Sequence, residues 1–265
     1  MKKIICIAVM IVLVFAMFSG CGAPAAPAGE TKPAAPSVVN EETKPAEQAG
    51  GNAVGGGSAS DSYNAYIKAK SDAYDRINKK IEGNSEIGMA ALMLMPVTMV
   101  DISLIPLTIV SVPEGAAALS VLGMEGINIT GGGNEYSITY TSKDSEGNKQ
   151  TINQTCKYDP ASDSMQSRLT DGNGKEAMFF EYVKIDGGYA SQYYYDSGDG
   201  SFQQITSFFN DTDTVAFGMK TLSSEPASIM GNKSLGVDFV KDGETYFLLQ
   251  GDKLTIYQDG EAKTY

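Results

Sequence analysis

The sequence predicts an α+β domain in which N-terminal helices pack on one face of an antiparallel β-meander, a curved or half-barrel sheet being one form of that arrangement. Three observations lead there. Apolar residues recur at three-to-four spacing after residue 61, the spacing drops to two from about Ile127, and tight-turn residues punctuate the later half at even intervals. The expected organisation is a leader over 1–20, a spacer over 21–60, and one domain over 61–265 with helices to about 123 and strands from about 126.

The chain starts "MKKIICIAVMIVLVFAMFSG", two lysines followed by an uncharged apolar run that closes on small residues. This is the layout of a secretory leader and not of a folded element. Phe18-Ser19-Gly20-Cys21 then resembles the lipobox of bacterial lipoproteins, with Phe18 where Leu is usual. That resemblance implies a diacylated Cys21 as the mature N-terminus. Two or more acyl chains hold a protein stably to a bilayer, where one does so only marginally. The implied location is outside the cytoplasm, on the outer face of the cytoplasmic membrane, or on the outer membrane of a diderm cell, since Gly22 and not Asp follows the cysteine.

Residues 22–60 contain no aromatic residue and are dominated by Ala, Pro, Gly, Ser and Glu. Such a composition buries too little apolar surface to offset chain entropy, so a flexible spacer of roughly 35 Å reach is expected.

Asp61 is expected to open the first helix, with Tyr63, Tyr66, Ile67, Tyr74, Ile77 and Ile81 on one side and Lys68, Lys70, Asp72, Asp75 and Lys79 mainly on the other. Lys79 and Lys80 suit its C-terminal dipole, and Gly83 can end it. The run "IGMAALMLMPVTMVDISLIPLTIVSV" over 87–112 follows. Asp101, Pro96 and Pro106 interrupt it, and no Lys or Arg lies between Ile81 and Ser142, so it makes a poor membrane span. It reads as a core helix buried on most sides, with Thr98, Asp101 and Thr108 as a narrow polar stripe. Its methionines suggest a second role. Met93, Met95 and Met99 are candidate walls of a cavity for an apolar ligand, because methionine adapts to irregular surfaces. Ser111 and Glu114 have capping-box spacing and Gly123 offers a stop, which predicts a short third helix.

The strand candidates are "YSITYTS", "QTINQTCKY", "SMQSRLT", "EAMFFEYVK", "GYASQYYYD", "SFQQITSFF", "TVAFGM", "LGVDFV", "TYFLLQ" and "KLTIYQ". Turns at Ser145–Asn148, Asp159-Pro160, Asp171–Gly174, Asp186–Gly188, Ser197–Gly200 and Asp242-Gly243 join them into a meander. In outline, a helix-covered sheet on a tethered lipoprotein is similar to the half-barrel lipoprotein carriers, without any shared motif.

Charge and composition restrict function. The chain has 20 basic and 32 acidic side chains; losing Lys2 and Lys3 with the leader leaves 18 against 32, a net charge of −14. Arg76 and Arg168 are the only arginines, so nucleic acid is not an expected partner. Histidine is absent, which removes His-dependent triads, His general bases and the common His-containing zinc sites. Cys156 is the one cysteine left after processing and reads as a small buried residue. Asp196, Asp199, Asp211 and Asp213 cluster in turns but complete no calcium loop. No catalytic residue, metal or cofactor is therefore assigned. The expected function is a non-enzymatic, membrane-anchored binding or envelope-associated module, for an apolar molecule in its sharper form. Two alternatives stand beside it: a carboxylate-based cell-wall hydrolase, and an adhesive or structural surface protein.

Overall fold

The structure, a computed structural model, describes residues 58–111, 119–143, 147–197 and 200–265. The leader, Cys21, the spacer to residue 57, Glu114, the Ser145-Glu146 turn and Asp199 lie outside the described residues.

Helix α1 spans Ala59–Glu82, starting two residues ahead of the expected Asp61. Ser58 is its N-cap. The Ser58 hydroxyl accepts from the Asp61 amide while the Asp61 carboxylate accepts from the Ser58 amide, a reciprocal capping box contributing about 1 kcal/mol. Lys79 and Lys80 occupy the last turn, and Gly83 caps the end.

Helix α2 spans Ala90–Ile102 with Pro96 inside it, and a 3-10 helix follows over Ile105–Ile109. No strand forms in the 87–111 run. A second 3-10 turn, Ser120–Leu122, ends at Gly123, whose φ of +78° is the left-handed stop that glycine adopts without strain.

Eleven antiparallel strands form one open sheet in sequential order. They are β1 Glu125–Gly132, β2 Glu135–Lys143, β3 Lys149–Asp159, β4 Ser164–Asp171, β5 Glu176–Ile185, β6 Gly188–Asp196, β7 Phe202–Asn210, β8 Thr214–Leu222, β9 Thr245–Gln250, β10 Lys253–Gln258 and β11 Glu261–Thr264. The β11 strand falls where the sequence carries no alternation, and backbone bonds between Leu254 and Tyr265 tie down the end of the chain. Gly188 sits where β6 crowds β7: an added Cβ would lie 1.9 Å from the Phe209 carbonyl oxygen.

The period of two gives the sheet a front and a back. The front carries Ile138, Cys156, Met165, Phe180, Tyr182, Tyr193, Ile205, Phe217 and Phe247, which pack with α1, α2 and the first 3-10 helix into one core cluster. The back of β5–β9 carries Val183, Ala190, Phe208, Ala216 and Leu248 under the segment that joins β8 to β9.

That segment corrects one sequence expectation. "LGVDFV" is not a strand: Asp238–Lys241 forms a single helical turn, α3, with Val240 buried and Leu235, Val237 and Phe239 packed against the back cluster. Short apolar runs satisfy strand and helix periods alike, and here the sheet below already supplies every ladder partner the strands need.

Candidate functional site

The interface between α1, α2 and the front of the sheet holds the densest chemistry among the described residues. Residues Tyr63, Tyr66, Lys70, Ala73, Ile77 and Ile81 form the buried row of α1. The Tyr66 ring stacks on Tyr182 with centroids 4.6 Å apart and planes 5° from parallel, and its hydroxyl donates to Ser191 Oγ at 2.9 Å. Tyr63 meets Phe180 edge-on at 6.1 Å.

Lys70 departs from the sequence expectation, which put it on the polar side of α1. Its side chain is 2% exposed, because position 70 follows Tyr66 by four and precedes Ala73 by three. Its ammonium donates to Asp101 Oδ1 at 2.6 Å, to the Val97 carbonyl at 2.6 Å and to Tyr193 Oη at 3.0 Å, and lies 4.8 Å from the Tyr193 ring centroid. Tyr193 in turn donates to Asp101. Burial pulls the Lys70 ammonium below the usual lysine range, and Asp101 opposes the shift. Burial, with the Asp101 charge adding to it, pushes the Tyr63, Tyr66 and Tyr193 phenols up. The cluster thus clasps α1, α2 and β6 together through one buried cation.

A second clamp lies at the start of α1. Ser62 donates to Asp163, Tyr158 donates to the same carboxylate at 3.2 Å, and Lys184 Nζ approaches it to 3.2 Å. Asp163 occupies a positive φ of 48° in the β3–β4 turn.

Helix α2 is not buried on most sides, contrary to the sequence expectation. Ala90, Leu94, Val97 and Val100 face inward, whereas Met89, Leu92 and Met95 are 76%, 55% and 40% exposed. With Thr98 and Asp101 as its only polar side chains, α2 carries little preference for one face, and the pairing of Asp101 with Lys70 holds the row of Ala90, Leu94, Val97 and Val100 inward. The three candidate cavity residues divide accordingly: Met93 is half-buried and packs on the core, Met99 is half-buried, and Met95 points outward. Beneath α2 the space is filled by Leu94, Val97, Leu104 and Leu107, all fully buried.

Polar atoms without partners remain inside this interface: Tyr63 Oη, Gln154 Oε1 and Ser207 Oγ are buried with no hydrogen bond. Each costs about 1–3 kcal/mol. Cys156 is also buried, and burial pushes its thiol up to about 12, which leaves it an inert thiol at neutral pH.

On the back, Glu181 is fully buried and accepts from Gln166 Nε2 at 2.7 Å, Gln192 Nε2 at 3.0 Å, Ser228 Oγ at 2.5 Å and the Ile229 amide at 2.8 Å. Arg168 adds an ion pair to Glu225 at 2.8 Å. These contacts fasten the β8–β9 segment and engage Glu181 fully. An open cleft of about 400 Å³ crosses β1–β4 near Thr130, Glu135, Ser137, Thr155, Lys157 and Gln166. Lys157 pairs with Glu135 there at 3.7 Å. Of the turn aspartates, Asp196 pairs with Lys175 at 2.8 Å and Asp213 accepts from Thr214 at 2.9 Å. Among the described residues no helix is long and apolar enough to cross a membrane.

No protein-family model, no curated protein and no solved structure matches the chain.

Proposed function

We propose that the protein is a membrane-anchored extracytoplasmic lipoprotein, joined to the bilayer through Cys21, whose folded domain is a non-enzymatic binding or envelope-associated module for an apolar molecule. The observation that carries this reading is α2: a short helix, apolar but for Thr98 and Asp101, held over the front of the sheet by the Lys70–Asp101 clasp. Its inner row occupies the space an apolar ligand would take, so displacement of α2 exchanges one apolar occupant for another. Tyr63, Gln154 and Ser207 add unpaired polar atoms that a ligand's polar group would satisfy. An open sheet of eleven strands under helices is also similar in outline to the half-barrel lipoprotein carriers.

Two measurements test the reading. Mass spectrometry of the mature N-terminal peptide is expected to show acylated Cys21, with membrane fractionation lost in Cys21→Ser; an unmodified cysteine ends the lipoprotein half. Mass spectrometry of an organic extract of residues 58–265, produced without the leader in a bacterial host, is expected to show a stoichiometric apolar molecule. A well-folded domain with an empty extract ends the ligand half.

A further inference from the structure

We infer that the outward row of α2, formed by Met89, Leu92 and Met95, is a membrane-contact face that rests in the interface of the bilayer holding Cys21. The inference rests on the lipoprotein reading and deepens it by naming the surface of the domain that meets lipid. Among the described residues five large hydrophobic side chains are exposed, and three of them form this single row within seven residues. A fourth, Leu122, lies in the 3-10 turn before β1. Exposed apolar side chains scattered singly need no explanation, whereas a contiguous row marks a contact surface.

Charge selects the occupant. No charged residue lies between Glu86 and Asp101, and no lysine or arginine between Lys80 and Lys143. The mature chain otherwise carries a net charge of −14, so an anionic surface repels the rest of it and electrostatic docking is not available. The row offers purely apolar contact, made by unbranched methionines and a leucine that adapt to a disordered acyl boundary. At 13 residues α2 is too short to cross and suits lying in the plane of the interface.

The tether supplies the affinity. On the lipoprotein reading, the spacer expected from composition, 37 residues from Cys21 to Ser58, would have the roughly 33 Å reach of a coil and would keep the domain at an effective concentration on the order of millimolar at the bilayer. A contact too weak to recruit a free protein is sufficient at that concentration. The first residues of the folded domain lie in the same helical layer as α2: the Ser60 amide donates to Ser111 Oγ at 3.4 Å, and the Ser60 hydroxyl to the Thr108 carbonyl, just beyond α2. A second copy of the chain is the poorer occupant, since three side chains fall far short of the roughly 800 Å² per partner that a stable interface buries.

The experiment uses the mature acylated chain on phosphatidylcholine vesicles, with an environment-sensitive fluorophore at Leu92→Cys, Met95→Cys or, as the control, Glu261→Cys in the exposed strand β11. Flotation with the vesicles, lost in Cys21→Ser, tests the anchor separately. In the floated protein, labels at 92 and 95 are expected to shift to shorter wavelength and to lose fluorescence to nitroxide-bearing phosphatidylcholine, with the label at 261 unchanged. A label at Met89→Cys is expected to escape quenching when Leu92→Asp and Met95→Asp are added, two exposed substitutions that leave the fold intact. Protein that floats with all labels aqueous overturns the inference while leaving the anchor standing. A wavelength shift at 92 that occurs without vesicles, or without quenching by lipid-borne nitroxide, assigns the row to another protein surface and also overturns it.

Discussion

At the scale of single residues, Lys70 is the most consequential side chain in the fold. Its ammonium is nearly inaccessible while Asp101 keeps 25% of its side chain in solvent, so the two partners are not equivalent. Asp101→Asn leaves a buried cation without its counter-charge and is expected to cost about 3 kcal/mol in denaturant unfolding. Lys70→Met leaves a partly hydrated carboxylate that still accepts from Tyr193, and is expected to cost about 1 kcal/mol. The double variant is expected to be more stable than Asp101→Asn alone; if the two costs simply add, the clasp is not an interacting pair. Of the two, Asp101 stands out in the sequence as the one charge in an apolar run, whereas Lys70 reads as part of the polar side of α1 and is placed in the buried row only by the structure. Their partnership was not legible, because it depends on how α1 crosses α2 and not on any local spacing. Glu181 illustrates the same limit: nothing in "FFEYVK" separates a carboxylate buried among amides from a solvated strand residue.

At the scale of elements, what proved legible was periodicity with contrast. Helix α1 carries an apolar row at three-to-four spacing and the outer strands β2, β3 and β10 alternate polar and apolar residues, so their existence follows from the pattern. Strands β5 to β9, buried on both faces, carry consecutive apolar residues and are marked instead by the turns between them. Helix α2 has little contrast, and its facing comes only from tertiary contacts. Leu94→Ala is therefore expected to cost about 2–4 kcal/mol, because it empties a fully buried site, whereas Met95→Ala is expected to change stability by less than about 0.5 kcal/mol. Equal costs at the two positions would mean that α2 packs with another face inward. The β8–β9 segment failed to read for the opposite reason. Its apolar residues mimic a strand, but Val240 packs on the back of a sheet whose ladder is already complete.

At the scale of the whole folded domain, the helix–sheet interface makes alkaline pH the natural denaturant. Burial raises the phenols of Tyr63, Tyr66, Tyr182 and Tyr193, and lifts the Cys156 thiol to about 12. In the unfolded chain tyrosine ionises near pH 10 and cysteine near 8.5. A folded pKa above the unfolded one means that the native state holds its proton longer. The stability contributed is complete below the unfolded pKa and is lost as pH rises toward the folded value. Lys70 acts with the opposite sign, since its lowered folded pKa favours the native state as pH rises toward about 10.4, but it is one group against five. Integrated from the unfolded pKa near 10, each tyrosine removes about 1 kcal/mol between pH 10 and 11, so the four together remove about 4 kcal/mol. By pH 12 the loss reaches about 9 kcal/mol, comparable to the whole stability of a typical domain, about 5–15 kcal/mol. Loss of far-ultraviolet circular dichroism is therefore expected in one cooperative step between about pH 10 and 12, coincident with a sharp rise in tyrosinate absorbance that no tryptophan obscures. Tyrosinate that instead appears gradually while the dichroism persists would place solvent between α1 and the sheet, and the front face would then be an open site in the free protein and not one covered by α2.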